Sequence, residues 1–220
     1  MDSYLAGCEQ VIEIGSGAGF SKVFLSNEKI RLTDVVKHDW IDEEVDALNT
    51  PYADSSLDAV VSSHMIHHLA TPVVFFREMA RILKPGGIIV IQEINTSLVM
   101  RALLRLMRHE GWSYDVDVFD EKVISNDPRD PWSANCAIPQ LLFSNPMEFE
   151  RNISDFRILR NELCEGMIFP LSGGVISKTK MIQLPEWLLS VVDRFDQISI
   201  SILPSIFAMG RMVVLEKRDD

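Results

Sequence analysis

The sequence predicts an α/β fold, and three observations carry that reading. Val11 to Phe20, V-I-E-I-G-S-G-A-G-F, is a short buried strand running straight into a glycine-rich turn. Apolar, β-branched runs recur at Ile30 to Val35, Leu57 to Ser62 and Ile88 to Ile94, with a helical pattern between the last two. At 220 residues, 47% hydrophobic and 24% charged, the chain can bury the core of a single domain, expected to span 1–220.

Composition narrows the partners. A formal net charge of -11 argues against a nucleic-acid partner, since phosphate backbones are bound by basic faces. Cys8, Cys136 and Cys164 are odd in number and widely spaced, so they offer neither a disulfide framework nor a zinc site. No metal-ligand set is read elsewhere. The N-terminus lacks a basic and apolar leader and no run of ~20 apolar residues occurs, so a soluble cytoplasmic protein is expected.

Taken in order, the turn at Gly15, Gly17 and Gly19 lets backbone approach a ligand closely, and a helix beginning near Ala18 is expected to point its N–H groups at the same spot. A bland structural corner is the alternative. The spacing is not that of a dinucleotide turn: counting six from Gly15 reaches Phe20, and from Gly17 reaches Lys22, where G-x-G-x-x-G needs glycine. The second strand ends near Asp34, whose carboxylate can accept two bonds from a vicinal diol or simply cap a turn. Only eleven residues separate Asp34 from Asp46, too few for a crossover helix and a strand of usual lengths. Leu57 to Ser62 delivers Ser62, Ser63 and His64 to the carboxyl end of the sheet, where ligands of open α/β sheets bind. Thr71-Pro72 opens a helix whose Phe75, Phe76, Met79, Ile82 and Leu83 share one face. It stops at L-K-P-G-G. Further on, Met100 to His109 is amphipathic, Asn145-Pro146 with Glu148 marks a helix start, and Phe156 to Leu163 and Gly210 to Lys217 read as strands.

Four features in sequence carry a family resemblance over residues 11–94: E-x-G-x-G-x-G at 13–19, the Asp46-Ala47 pair with the Pro51-Tyr52 turn, the strand opened by Asp58, and the helix, Pro-Gly-Gly turn and strand that follow. This stretch resembles class I S-adenosylmethionine-dependent methyltransferases, in particular the type 11 branch. The resemblance implies a Rossmann-like, mostly parallel seven-stranded sheet with an antiparallel last strand. It implies S-adenosyl-L-methionine as cofactor, held by Glu13, Gly15, Ser16, Gly17, Gly19, Asp34, Val35, Asp46, Ala47, Ser62 and Ser63. Asp46 would accept from the adenine amino group and the Ala47 N–H would donate to the ring. The N-terminal segment is shorter than is common in the family, so cover for the site is expected from helical insertions at 95–155 and 164–209. Ala134-Asn135, Ala137-Ile138-Pro139 and Leu171-Ser172-Gly173-Gly174 extend the likeness more weakly.

An activated sulfonium asks chiefly for positioning, although an oxygen acceptor gains from a general base. His64 and His67 are the candidate bases, with His68 and His109 behind them; each is otherwise a packed or turn histidine. Arg101, Arg105 and Arg108 share one helical face, either solvated or set to receive an anionic acceptor. The reading is methyl transfer to a small-molecule acceptor, at an oxygen of a sugar or glycolipid precursor. A non-catalytic cofactor-binding domain and a nucleotide-dependent oxidoreductase are the alternatives.

Overall fold

The computed structural model describes residues 1–108, 110–171 and 184–219. In chain order the elements are α1 (Asp2–Leu5), β1 (Val11–Ile14), α2 (Ser21–Phe24), β2 (Ile30–Asp34), β3 (Glu43–Glu44), β4 (Leu57–Ser63), a 3-10 turn (Ile66–His68), α3 (Pro72–Ile82), β5 (Leu83–Ile94), α4 (Leu98–Met107), α5 (Ile138–Phe143), α6 (Pro146–Asn152), β6 (Phe156–Cys164), α7 (Ile168–Leu171), α8 (Glu186–Ile202), α9 (Pro204–Phe207) and β7 (Gly210–Lys217). The seven strands lie in the order β3-β2-β1-β4-β5-β7-β6. The pairs from β3 to β5 are parallel, while β7 is inserted antiparallel between β5 and β6. That is the Rossmann-like methyltransferase topology expected from the resemblance.

Alternating side chains of the strands feed two cores. On one face Ile12, Ile14, Val60, Ile89, Ile91, Val213 and Leu215 pack under α3, α5 and α6. Phe76 sits at the centre of that layer, its ring meeting Phe75, Phe143, Phe149 and Phe156 at steep angles with centroids 5.2 to 6.4 Å apart. On the other face Val11, Ala59, Val61, Val90 and Val214 meet Leu5 of α1.

Two local expectations are revised and one is met. The helix after the glycine turn begins at Ser21 and lasts one turn, because Asn27 ties the connection back by donating Nδ2 to the Leu5 and Cys8 carbonyls at 3.0 and 3.1 Å. It is too short to carry a useful dipole. The link after β2 holds no helix, as the spacing required, and still makes a two-residue edge strand at Glu43–Glu44, with Thr33 opposite Glu43 and Asp34 opposite Glu44. The Pro-Gly-Gly turn is absorbed into β5: Leu83 already pairs with Leu57, and Lys84 to Gly87 bulge out before pairing resumes between Ala59 and Ile88.

The segments that follow β5 and β6 meet beyond the end of β5. Ile94, Met100, Leu104, Cys136 and Met209 form a third cluster, joined by Leu103, Trp112, Met167 and Phe169. Ser97 caps α4, its side chain accepting from Met100 N, and Asn145 caps α6 by accepting from Glu148 N at 3.3 Å. His109 and residues 172–183 lie outside the described residues, and with them Ser172-Gly173-Gly174. Among the described residues no helix is long and apolar enough to cross a membrane.

Candidate functional site

The glycine turn is knitted to β2. Ser16 N donates to the Thr33 carbonyl at 3.0 Å, Thr33 N to Ser16 Oγ at 3.1 Å, and Thr33 Oγ1 to the Glu13 carbonyl at 2.8 Å. Gly15 and Gly17 hold positive φ of 71° and 48°. A Cβ on Gly15 would drive into the Met65 side chain, whereas one on Gly17 would meet nothing within 4 Å. Gly17 therefore faces open space, which is what close approach by a ligand requires. Trp40, which sequence reasoning passed over, frames the turn: its Nε1 donates to the Gly17 carbonyl at 2.9 Å and its ring stacks on His38 at 4.7 Å.

Glu13 is 2% exposed, and burial pushes its carboxyl above the usual range despite bonds from serine hydroxyls. Ser21 Oγ donates to Oε1 at 2.5 Å, while Oε2 is buried with no partner. An orphaned acidic oxygen beside an open glycine turn is a cost that a cationic or N–H-bearing ligand would relieve. Together these features fit the amino-acid end of S-adenosyl-L-methionine.

Asp34 takes the turn-capping role that was one of its two readings. Its Oδ2 accepts from Gly17 N at 2.8 Å and its Oδ1 from Val36 N at 2.9 Å. It braces the turn and keeps the further lone pairs of both oxygens. Val35 beside it is exposed. Asp46 caps its own loop, accepting from Leu48 N at 2.9 Å, and Ala47 is buried. That loop is fastened to α3: Glu78 Oε1 accepts from Thr50 N and Thr50 Oγ1, each at 2.7 Å, and Arg81 donates to Glu78, Asp54 and the Tyr52 carbonyl. Ser62 is sealed inside the sheet with an unpartnered Oγ, so its hydroxyl is not presented to a ligand; Ser63 is half-buried. Strand alternation decides this, since consecutive residues point to opposite faces.

His64 follows β4 with φ at 51°, its N–H bonded to the Gln92 carbonyl at 2.8 Å. A non-glycine residue in this region marks a strained position of the kind found at sites. Its ring stacks on Phe169 of α7 at 5.2 Å, so α7 reaches the end of the sheet. Burial lowers its pKa and keeps the imidazole neutral.

His67 is another matter. Its Nδ1 lies 2.6 Å from Glu93 Oε2 and its Nε2 3.5 Å from Glu110 Oε2. Burial alone would strip its proton, yet Glu93 and Glu110 outweigh that and push its pKa up to about 10. Burial would in turn raise Glu110, but His67 holds it down at about 2. An imidazolium locked between two carboxylates is not a base at neutral pH, which sets His67 apart from His64. His68 Nδ1 meets the Ser133 carbonyl at 3.1 Å, and Asn126 Nδ2 donates to the His67 and Leu69 carbonyls, both at 2.9 Å. Glu93 and Glu110 were missed in the sequence; an acid inside the otherwise apolar run I-I-V-I-Q-E-I was the available signal for Glu93. Arg105 stacks over Trp112 at 5.1 Å, and Arg108 leaves the helix in the left-handed region.

Comparison with known proteins bears on the family and the fold. Residues 12–91 match a family described as "Methyltransferase domain". Demethylmenaquinone methyltransferase of Corynebacterium urealyticum is 43% identical over 54 residues, 24% of each chain, and that of Beutenbergia cavernae is 30% identical over 103 residues, 40% of this chain and 42% of that one. The chain thus spans less than half of these relatives' length. A methyltransferase structure from Archaeoglobus fulgidus superposes over 98% of this chain and 89% of its own with a TM-score of 0.56 at 19% identity, a likeness of fold.

Proposed function

We propose that this chain, whose residues 12–91 match a family described as a methyltransferase domain, transfers the methyl group of S-adenosyl-L-methionine to an oxygen of a small-molecule acceptor, in the class of sugars and glycolipid precursors. The observation that supports this most is the pairing of the open turn at Gly17 with the unpartnered Glu13 Oε2. Glu13 and the backbone of Gly15 to Gly19 hold the methionine end, Asp34 lies toward the ribose, and Asp46 and Ala47 receive the adenine. When bound, the cofactor supplies a methyl group already activated by its sulfonium. The protein's own part is to hold the acceptor in line and to take its proton. His64, neutral at the carboxyl end of β4, accepts the hydroxyl proton at a ring nitrogen.

A second reading has one observation in its favour. Trp187, Val191, Phe195, Ile198 and Ile202 are each more than half exposed and recur along α8 at helical spacing, which suits an acceptor with an apolar tail, such as the quinone named for the demethylmenaquinone methyltransferase relatives. Incubation with methyl-labelled cofactor and a panel of lipid-linked sugars and demethylated quinones, followed by mass analysis, tests both. Label on a sugar hydroxyl is the expected result. Label on quinone carbon replaces it with the second reading, and label on no acceptor leaves only a cofactor-binding domain.

A further inference from the structure

The buried cluster below His64 carries more than a packing role. His68 Nδ1 faces a backbone carbonyl, that of Ser133 at 3.1 Å, and a carbonyl can only accept, so Nδ1 carries the hydrogen and Nε2 presents a lone pair. His67 Nδ1 faces Glu93 Oε2 at 2.6 Å, and both Glu93 oxygens also accept backbone N–H groups, from Ile66 at 2.6 Å and Ile94 at 3.1 Å. Each imidazole is thus oriented from behind by an acceptor on Nδ1. That is the arrangement that fixes the tautomer of metal-ligating histidines. Both Nε2 atoms converge on Glu110, at 3.5 Å for His67 and 3.9 Å for His68, and the three donor atoms lie within 4.8 Å of one another. Ligands at ~2.0–2.2 Å around a tetrahedral ion stand roughly 3.4 Å apart, so small side-chain rotations close the set.

The geometry points to a mononuclear site for a borderline divalent transition cation of the zinc class, liganded by His67 Nε2, His68 Nε2 and the Glu110 carboxylate. Two imidazoles and one carboxylate suit zinc and its neighbours, whereas magnesium and calcium ask for all-oxygen shells. Three protein ligands leave a fourth position. Glu110, Gly111, Trp112, Leu104 and Arg105 line a cleft that gives access to it, while Cys136 Sγ lies behind, 3.3 Å from Glu110 Oε2. The place held between His67 and Glu110 by a proton is taken by the metal, and loading releases that proton. The site stands apart from the methyl-transfer reading, since its ligands come from the 3-10 turn and the segment after α4 rather than from the glycine turn.

The test is calorimetric titration of the chelator-treated full chain with zinc and, separately, with magnesium, together with the visible spectrum of the cobalt-loaded protein. The expected result is one zinc per chain, no magnesium at the same concentrations, and a cobalt spectrum of low coordination number. His68→Ala and Glu110→Gln should each weaken zinc binding at least tenfold. Both side chains are about one-fifth exposed, so these changes leave the core filled, and circular dichroism checks that they do. No zinc bound by the wild type, or zinc bound equally well by the wild type and both variants, overturns the proposal.

Discussion

The carboxylate of Asp34, at the end of the second strand, accepts the backbone N–H of Gly17 at 2.8 Å. One acid therefore shapes the glycine turn and, in the proposed function, also faces the cofactor's ribose. Asp34→Ala is expected to weaken S-adenosylhomocysteine binding by about 1–3 kcal/mol, because it leaves a turn N–H unpaired as well as removing an acceptor. Asp34→Asn, which keeps an acceptor for Gly17, should recover the thermal midpoint but not the full affinity. Calorimetry and a melting curve read the two effects separately.

Glu78 and Arg81 of α3 hold the loop that presents Asp46 and Ala47. Burial would raise the Glu78 pKa, but Arg81 and Thr50 bond its charged form and leave it lowered. A lowered folded pKa stabilises above the unfolded value of ~4.3 and loses that stabilisation as pH falls through the folded value. Glu78→Gln should therefore flatten the acid limb of the stability curve. Wild type and variant losing stability in parallel below about pH 4 would show that the network does not contribute.

His64 decides whether the protein supplies acid–base chemistry. His64→Ala is expected to lower kcat by about 10²–10⁴ with little change in cofactor affinity, and His64→Phe, which keeps the bulk against Phe169, should do no better. Near-normal turnover in His64→Phe would reduce the residue to packing and leave positioning as the protein's whole contribution.

Phe76 contacts four other phenylalanines and is fully buried. Phe76→Ala is expected to cost ~3–5 kcal/mol of stability by denaturant unfolding. A loss below ~1 kcal/mol would mean that the layer under α3 repacks freely.

Most of the sheet was legible because strands buried on both faces read as continuous apolar runs, and because β4, α3 and β5 each had clean punctuation. What escaped was set by long-range pairing. Asp34 reads equally as a diol acceptor or a turn brace until Gly17 is seen beside it. The roles of His64 and His67 separate only when Glu93 and Glu110, 26 and 43 residues from His67 along the chain, close around one and not the other. Trp40 was hidden for the same reason, as nothing local tells an indole in a loop that its partner is the Gly17 carbonyl.

The most direct test of the cofactor assignment is calorimetric titration of wild type and Gly17→Val with S-adenosylhomocysteine, with NADH as control. Gly17 lies in the left-handed region facing open space, so a valine there strains the turn and fills the ligand's path. One S-adenosylhomocysteine should bind per wild-type chain, NADH should not bind, and a Gly17→Val protein that still unfolds cooperatively should show no measurable binding. Equal affinity in the two proteins, or a wild type that takes NADH and not S-adenosylhomocysteine, would contradict the assignment.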